Sequence, residues 1–509
     1  MDLMNAIEKL EVIKAFEATH DVTAYKADGW HVWPLVRILL GFNAFPRKSP
    51  TVLNRVWMGL IRPMVGYLRA LIRQSRGTEK AAGSETNTAS VVFLTQSGRR
   101  VWWRECFYEI YTDPLIEILK SMDKPVIVWE VGDSKMPQYS PSHKISIEVV
   151  DELYRTFAHL RKLPEPGWFS ELQPMFIKTV GRSLKWEEVC GHIVLVTEMA
   201  KIFERKLSKI QPKIVIAVCW YSNRTMALTL AASRLGISTV ELQHGVQGRG
   251  HFAYSGWQKY PPGGYEVFPD IFWCWGRTSV HDLIAYNPGL QGGSQLLIGG
   301  NPWLNRWRSN DFSLRNSDPG QKTILVTLQH EVSSILLDAI KKSPQAWDWM
   351  IRFHPIRSTK DRETDCALFA ATGHKGVKIV GESDSLLYEL FQNIDVHITE
   401  SSTCALEAMA FGVGTIVVTD TAYGRIGKFY FDSYINRGVM CVADTAGELL
   451  AKVQSMAPLA STYEIASDYF AESNITVRTL EELLSREHGT AVENIKGNRE
   501  SKNCSDRPE

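Results

Sequence analysis

From residue 90 onward, short apolar runs rich in β-branched residues alternate with longer segments whose apolar positions recur every three or four residues. In the first half, SVVFLT (90–95), PVIVWE (125–130), KIVIAVC (213–219), STVELQ (238–243), IFWCWG (271–276) and QLLIGG (295–300) predict buried strands. After GGNP the pattern restarts with TILVTL (323–328), WMIRF (349–353), VKIV (377–380), DVHIT (395–399) and TIVVT (415–419). The long segment before Gln211 reads as a helix, and the stretch from Ser222 reads as a crossover helix closed by Gly236. SDSLLYELFQN and STCALEAMAFG supply two more. Such alternation predicts parallel sheets with helices on both faces. Two consecutive sets predict an α/β chain of two Rossmann-like parallel-sheet domains facing each other across a cleft.

The length agrees, because 509 residues exceed what one core organises. The reading divides the chain into a helical N-terminal extension over 1–73, a small-residue linker over 74–90 and a first Rossmann-like domain over 91–300. A second follows over 301–486, then a polar, disordered tail over 487–509. Between Gly29 and Thr78 there is no acidic residue and there are eight basic ones. Arg55, Arg62, Arg69 and Arg76 fall seven apart among large apolar residues, so 51–76 forms a basic amphipathic helix interrupted by Pro63. That helix either lies in an anionic membrane interface or packs on the body with its arginines solvated.

Composition removes several classes. A net charge of +1 gives no global attraction to nucleic acid. Eight scattered cysteines form neither a CxxC pair nor a metal-like cluster with histidine, which favours a reducing compartment. The N-terminus has no signal-peptide pattern and no apolar run is long enough to span a bilayer. The expected location is cytoplasmic, at the inner face of the cytoplasmic membrane if 51–76 attaches there.

Chemistry concentrates where predicted strands end. ELQHGVQGRG places His244 after a strand, between Gln243 and Gly245, with Arg249 in the same loop. MIRFHPIR ends a strand at His354, because Pro355 has no N–H for the ladder, and flanks it with Arg352 and Arg357. His330 follows TILVTL in the same way. In DVHITESSTCALEAMAFG, Ser401, Ser402 and Thr403 precede a helix whose free N–H groups suit a phosphate, and Glu407 lies one turn in. The same hydroxyl residues are also preferred N-caps. No DxD-like pair follows a strand nearby, so an obligatory divalent metal is not indicated. GVQGRG lacks the lysine and spacing of a P-loop and opens no GxGxxG helix.

HP after a strand, SSTxxxEAxxxG after a later one, a QHG loop in the first half and the GGNP junction together resemble GT-B glycosyltransferases over roughly residues 90 to 480. More narrowly they are similar to bacterial surface-polysaccharide enzymes. Those include capsule-type transferases, the HP-motif sialyl- and polysialyltransferases, and the CDP-glycerol glycerophosphotransferases. The resemblance implies a metal-independent enzyme without cofactor that uses a nucleotide-activated sugar donor and a glycan or lipid-linked glycan acceptor. It assigns donor phosphate to Arg352, His354, Ser401, Ser402 and Thr403, with His330 as a weaker candidate, and a ribose or sugar hydroxyl to Glu407. His354 would also protonate or shield the leaving phosphate, while His244 would be the acceptor-side general base, beside Gln243, Gly245 and Arg249. Glu400 and Glu407 are one residue closer than the paired glutamates of many retaining enzymes, which implies inversion. A non-hydrolysing nucleotide-sugar epimerase and a non-catalytic nucleotide- or glycan-binding protein of a polysaccharide assembly complex remain alternatives on the same scaffold.

Overall fold

The computed structural model of the chain describes residues 6–42, 44–45, 89–131, 143–144, 161–307, 320–354, 357–381, 386–459 and 468–486. The amphipathic segment at 51–76, Pro355, nearly all of the linker and the expected tail lie outside the described residues.

Two wholly parallel sheets organise the described chain. The first contains β1 (Val91–Gln96), β2 (Val126–Val131), β3 (His143–Lys144), β4 (Ile214–Val218), β5 (Ser238–Leu242), β6 (Ile271–Cys274) and β7 (Gln295–Ile298). Their spatial order is β7-β6-β5-β4-β1-β2-β3. The second contains β8 (Thr323–Leu328), β9 (Asp348–Phe353), β10 (Val377–Ile379), β11 (Val396–Thr399), β12 (Gly414–Val418) and β13 (Met440–Ala443). Its order is β10-β9-β8-β11-β12-β13. In each sheet the chain winds outward from the first strand and then returns to that strand's other side. Each lobe therefore has a topological switch point between its first and fourth strands, where open α/β sheets leave a crevice.

The eleven predicted strands all form, most of them because their side chains are buried on both faces of a helix-covered sheet; the edge strands β7 and β10 are only partly covered. In β1, Val91 and Phe93 join a cluster with Leu115, Ile116 and Leu119. Val92 and Leu94 join the opposite cluster, with Val194 of the Trp186–Ile210 helix and Leu228 of the Asn223–Arg234 helix. β3 and β13 escape the pattern as short strands at sheet edges, and β13 is buried only at its two ends. No helix among the described residues is long and apolar enough to cross a membrane.

Two segments pack on a lobe that chain order alone does not indicate. The helix Ser473–Ser485, assigned by sequence order to the second domain, returns to the first lobe. Its Leu480, Leu483 and Leu484 complete the β1 cluster, and Thr476 and Thr479 donate to the Gly299 and Ile298 carbonyls at 2.6 and 2.9 Å. The N-terminal helices Ala6–Thr19 and Trp33–Gly41 pack into the first lobe. Arg37 is fully buried, pairs with Glu17 at 2.5 Å, and donates to the Phe252 and Ser255 carbonyls at 3.2 and 2.6 Å. Those hydrogen bonds offset the desolvation of the pair and fix the chain that follows the His244 loop. A further apolar cluster joins the lobes, with Val246, Trp275 and Trp303 packed among Leu406, Met409, Tyr434 and Phe470.

Candidate active site between the lobes

The strands beside both switch points deliver polar residues at their carboxyl ends. In the first lobe β1 runs into Ser97–Arg99, β4 into Cys219–Ser222 and β5 into Gln243–Gly250. Cys219 has φ +65°, a left-handed conformation that costs a non-glycine residue about 1–3 kcal/mol. The bend turns β4 at once into the Asn223–Arg234 helix, whose cap Ser222 accepts the Thr225 N–H at 3.1 Å. Tyr221 is thereby set over the sheet end, its hydroxyl 3.3 Å from His244 Nε2.

Gln243 shapes the His244 loop from within. Its Nε2 donates to the Gly245 carbonyl at 2.9 Å, its Oε1 accepts the Trp275 N–H at 2.7 Å, and its carbonyl accepts the Trp275 indole at 2.9 Å. A Cβ on Gly245 would stand 2.7 Å from Thr403 Cγ2, so only glycine lets this loop touch the hydroxyl loop of the second lobe. Further on, Gly250 (φ +87°) lies against the Tyr430 ring. Arg249 pairs with Asp432 at 3.1 Å and lies over the Phe429 ring. The walls are already in contact.

Burial, then the charges of Arg99 and His251, lowers His244 to about 3, so its imidazole is neutral at neutral pH. Its Nδ1 is buried without a hydrogen-bond partner, 3.9 Å from Glu241 Oε1. Burial pushes Glu241 up to about 8 against the pull of hydrogen bonds from Tyr254 Oη (2.5 Å) and the Trp220 N–H (3.1 Å). The loop is held from the other side by Tyr111, whose hydroxyl donates to the His244 carbonyl at 3.2 Å. A neutral imidazole can accept a proton, but the burial that lowers His244 to about 3 also makes it a weak base until a ligand changes its surroundings.

The second wall begins at β11, which releases Glu400 and then Ser401–Thr403. Ser402 is buried; its N–H donates to Thr399 Oγ1 at 3.2 Å and its Oγ accepts the Cys404 N–H at 3.4 Å. The following helix, Cys404–Ala410, has seven residues and is capped at Phe411. Glu407 is buried and accepts from Tyr388 Oη at 2.5 Å; burial raises it to about 7. Glu400, also raised to about 7 by burial, accepts from Thr421 at 2.6 Å. A Cβ on Gly427 would lie 1.8 Å from the Glu400 carbonyl, so the Ala422–Tyr430 helix is pressed onto this loop.

That helix connects the remaining candidates. Tyr430 faces His251 of the first lobe, their ring centres 5.9 Å apart. Tyr423 stacks on His330 at 3.3 Å with rings 9° from parallel. Burial, followed by the charges of His354 and Arg357, lowers His330 to about 4. His354 is exposed just beyond β9; its N–H donates to the Leu328 carbonyl at 2.7 Å and its own carbonyl accepts from Arg362. Arg357 pairs with Asp365, and Arg352 acts electrostatically on Cys404.

The fold thus brings His244, Gly245 and Thr403 to one crevice, with Ser401, Ser402 and Glu407 on the same wall as Thr403. His330, His354 and Arg352 stand at the strand ends of that second wall. Gln243 and Arg249 are occupied in shaping the loop and bridging the lobes. Sequence reasoning missed Arg99, Tyr111, Tyr221 and Glu241. The switch-point rule would have found Arg99 and Tyr221, which follow the first and fourth strands, but it requires the strand order. Among the described residues no group of three or more His, Cys, Asp or Glu side chains could hold a metal ion.

No family model and no curated protein matches the sequence. Solved structures resemble it in outline. The S. aureus MnaA–UDP co-structure aligns at TM-score 0.45 and 12% identity over 78% of this chain and 96% of that one. UDP-GlcNAc 2-epimerase from Neisseria meningitidis bound to UDP-GlcNAc aligns at 0.46 and 12% over 77% and 99%. A glycosyltransferase from Rickettsia africae aligns at 0.43 and 12% over 78% and 98%. At such scores and identities these neighbours carry no residue roles to this chain.

Proposed function

We propose that this chain is a glycosyltransferase that moves a sugar or sugar-like group from a nucleotide-activated donor to a surface-polysaccharide or lipid-linked glycan acceptor, with inversion. The observation that carries the reading is the Gly245–Thr403 contact, which sets a neutral imidazole on one lobe against a hydroxyl-rich strand end on the other. In this reading His244 Nε2 takes the proton of the acceptor hydroxyl as that oxygen attacks the anomeric carbon. The bond to the donor phosphate breaks, the leaving phosphate oxygen keeps the electron pair, and its charge is met by hydrogen bonds from Ser401, Ser402, Thr403 and the His330–His354–Arg352 end of the second wall. Glu407 holds a donor hydroxyl. The segment at 51–76 would keep the enzyme near an anionic membrane; equal flotation with liposomes of the full chain and a chain starting at residue 90 would reject that part.

A panel of CMP, CDP, UDP, GDP and dTDP in a thermal-shift assay tests the donor side. One nucleotide is expected to stabilise wild type and to lose that effect in His354→Ala. His244→Ala is expected to keep nucleotide binding and to lower transfer about 10²- to 10⁴-fold, the usual worth of a general base. Nucleotide binding by wild type with full transfer by His244→Ala would refute the assigned base.

The two buried carboxyls poised near neutrality, Glu400 and Glu407, favour epimerisation as the second reading, since proton exchange at a sugar carbon uses such groups. Formation of an isomeric nucleotide sugar without any acceptor would establish it instead.

A further inference from the structure

Three arginines of the first lobe have different surroundings. Arg37 is buried and fully engaged with Glu17 and backbone carbonyls. Arg100 is nearly as buried, bonded to Glu130 through Nε at 2.7 Å and to the Phe107 carbonyl at 2.7 Å. Arg99, the neighbouring residue, forms no hydrogen bond or ion pair among the described residues, and its Nη1 is completely shielded from solvent. Arg99 as a whole is part-exposed, so the desolvated group is this one nitrogen; a buried N–H without a partner is costly, and folded proteins retain one where something else supplies the partner.

Its location indicates what that partner is. Arg99 ends the turn after β1, at the first lobe's switch point. Its charge is felt by Glu109, Tyr111, Cys219, Glu241 and His244, so all five lie within its electrostatic reach. Glu109 and Glu241 are both buried, each with one carboxylate oxygen lacking a partner, yet neither reaches Arg99 within ion-pair distance. Gln247, in the His244 loop, is buried with both amide atoms unpartnered. The loops at this end of the first lobe thus hold more buried donors and acceptors than they pair.

We propose that Arg99 is an anion subsite, taking a phosphate or carboxylate group of a ligand that lies across the first lobe's crevice with a hydroxyl at His244. The subsite stands on Arg99 itself; only the identification of its ligand as a substrate of transfer rests on the function proposed above. A planar guanidinium suits bidentate recognition of either anion. An anion there also cancels one of the charges that disfavour protonation of His244, which Glu241, His251, Tyr111 and Tyr221 also face. The ligand would thereby strengthen the base that acts on it.

Isothermal titration with inorganic phosphate and pyrophosphate tests the subsite on wild type, Arg99→Gln, Arg99→Lys and, as a control at an exposed arginine paired with Glu204, Arg234→Gln. Phosphate affinity is expected to fall about tenfold or more in Arg99→Gln, less in Arg99→Lys, and less than about twofold in Arg234→Gln. Arg99→Gln is also expected to melt at or above the wild-type temperature, because it removes a charge that folding leaves unpaired. Equal phosphate binding by wild type and Arg99→Gln, no binding by wild type, or a clear fall in melting temperature would overturn the proposal. Titration of the nucleotide panel separates the anion's sources. Nucleotide binding that survives Arg99→Gln assigns the anion to the acceptor, and binding lost with phosphate assigns it to the donor's diphosphate. Arg99-dependent phosphate binding by a protein that binds no nucleotide would keep the subsite and remove the transferase reading.

Discussion

The two walls of the crevice are built on the same strand order, yet they satisfy their polar groups differently. Around the first lobe's switch point, Arg99, Glu109, Glu241, His244 and Gln247 all hold buried atoms without partners. On the second wall most polar groups are paired within the wall. Thr399 donates to the Thr327 carbonyl at 3.1 Å, Thr421 serves Glu400, and Asp420 accepts from Ser333 and Ser334; Glu400 Oε2 and Arg357 Nε are the exceptions. A buried polar atom without a partner costs about 1–3 kcal/mol, so the first wall carries unmet demand that a ligand can meet. The second wall is a finished surface whose backbone and hydroxyl groups hold each other in place. The first wall is therefore where ligand chemistry should be most sensitive to single side chains, and the second where geometry should matter most.

The strongest way to break this comparison is to separate the walls. Gly245→Val would drive two γ carbons and a Cβ into Thr403, and a displacement of about 1 Å at reacting groups can cost about 100-fold in rate. Turnover is expected to fall at least that far, with stability lowered by about 1–3 kcal/mol by overpacking. Transfer at the wild-type rate by Gly245→Val would mean that the Gly245–Thr403 contact does not set the reacting geometry.

Titration sharpens the comparison at intermediate scale. His244 and His397 are lowered to about 3, and His251 and His330 to about 4, from an ordinary 6.5, with burial the leading cause in each. Between 6.5 and those values the unfolded chain binds protons that the folded chain refuses, so these groups make stability fall as pH falls. Asp113, Glu400 and Glu407 are raised to about 7 and Glu241 to about 8, again chiefly by burial. There the folded chain holds protons that the unfolded chain releases, so stability falls as pH rises through each group's window. Above 6.5 only the carboxyls still act. The melting temperature should therefore decline from pH 6.5 to 8, and Glu407→Gln should flatten that decline. A melting temperature that rises over this interval would show that the carboxyls are not held protonated.

The smallest effect should come from the bridge at the rim. Arg249 is half exposed where it meets Asp432, and exposed pairs contribute about 0–1 kcal/mol, screened by salt. Arg249→Ala should cost no more than that in denaturant titrations, and the difference should vanish in high salt. A salt-independent loss of several kcal/mol would show the lobes held together at that pair and not by the apolar cluster around Trp275 and Met409.

Much of the scaffold was legible in the chain. Strands buried on both faces leave continuous apolar runs, and β1, β8 and β12 read correctly because no neighbour can change what such a run must do. His244, His354 and Ser401–Thr403 were equally visible, since a polar residue closing an apolar run marks a strand end. The returning helix Ser473–Ser485 was not, because its leucine stripe states that it must be covered but not by which sheet.

Local pattern alone thus determined the elements, their parallel arrangement and the loops that could bear chemistry, because those follow from how each short segment hides its apolar side. Tertiary structure alone decided that Arg99, Tyr221 and His244, from three separate loops, gather at one sheet end and that Gly245 touches Thr403. Those juxtapositions depend on strand order and on how the lobes pack, and both arise from contacts between residues far apart in the chain.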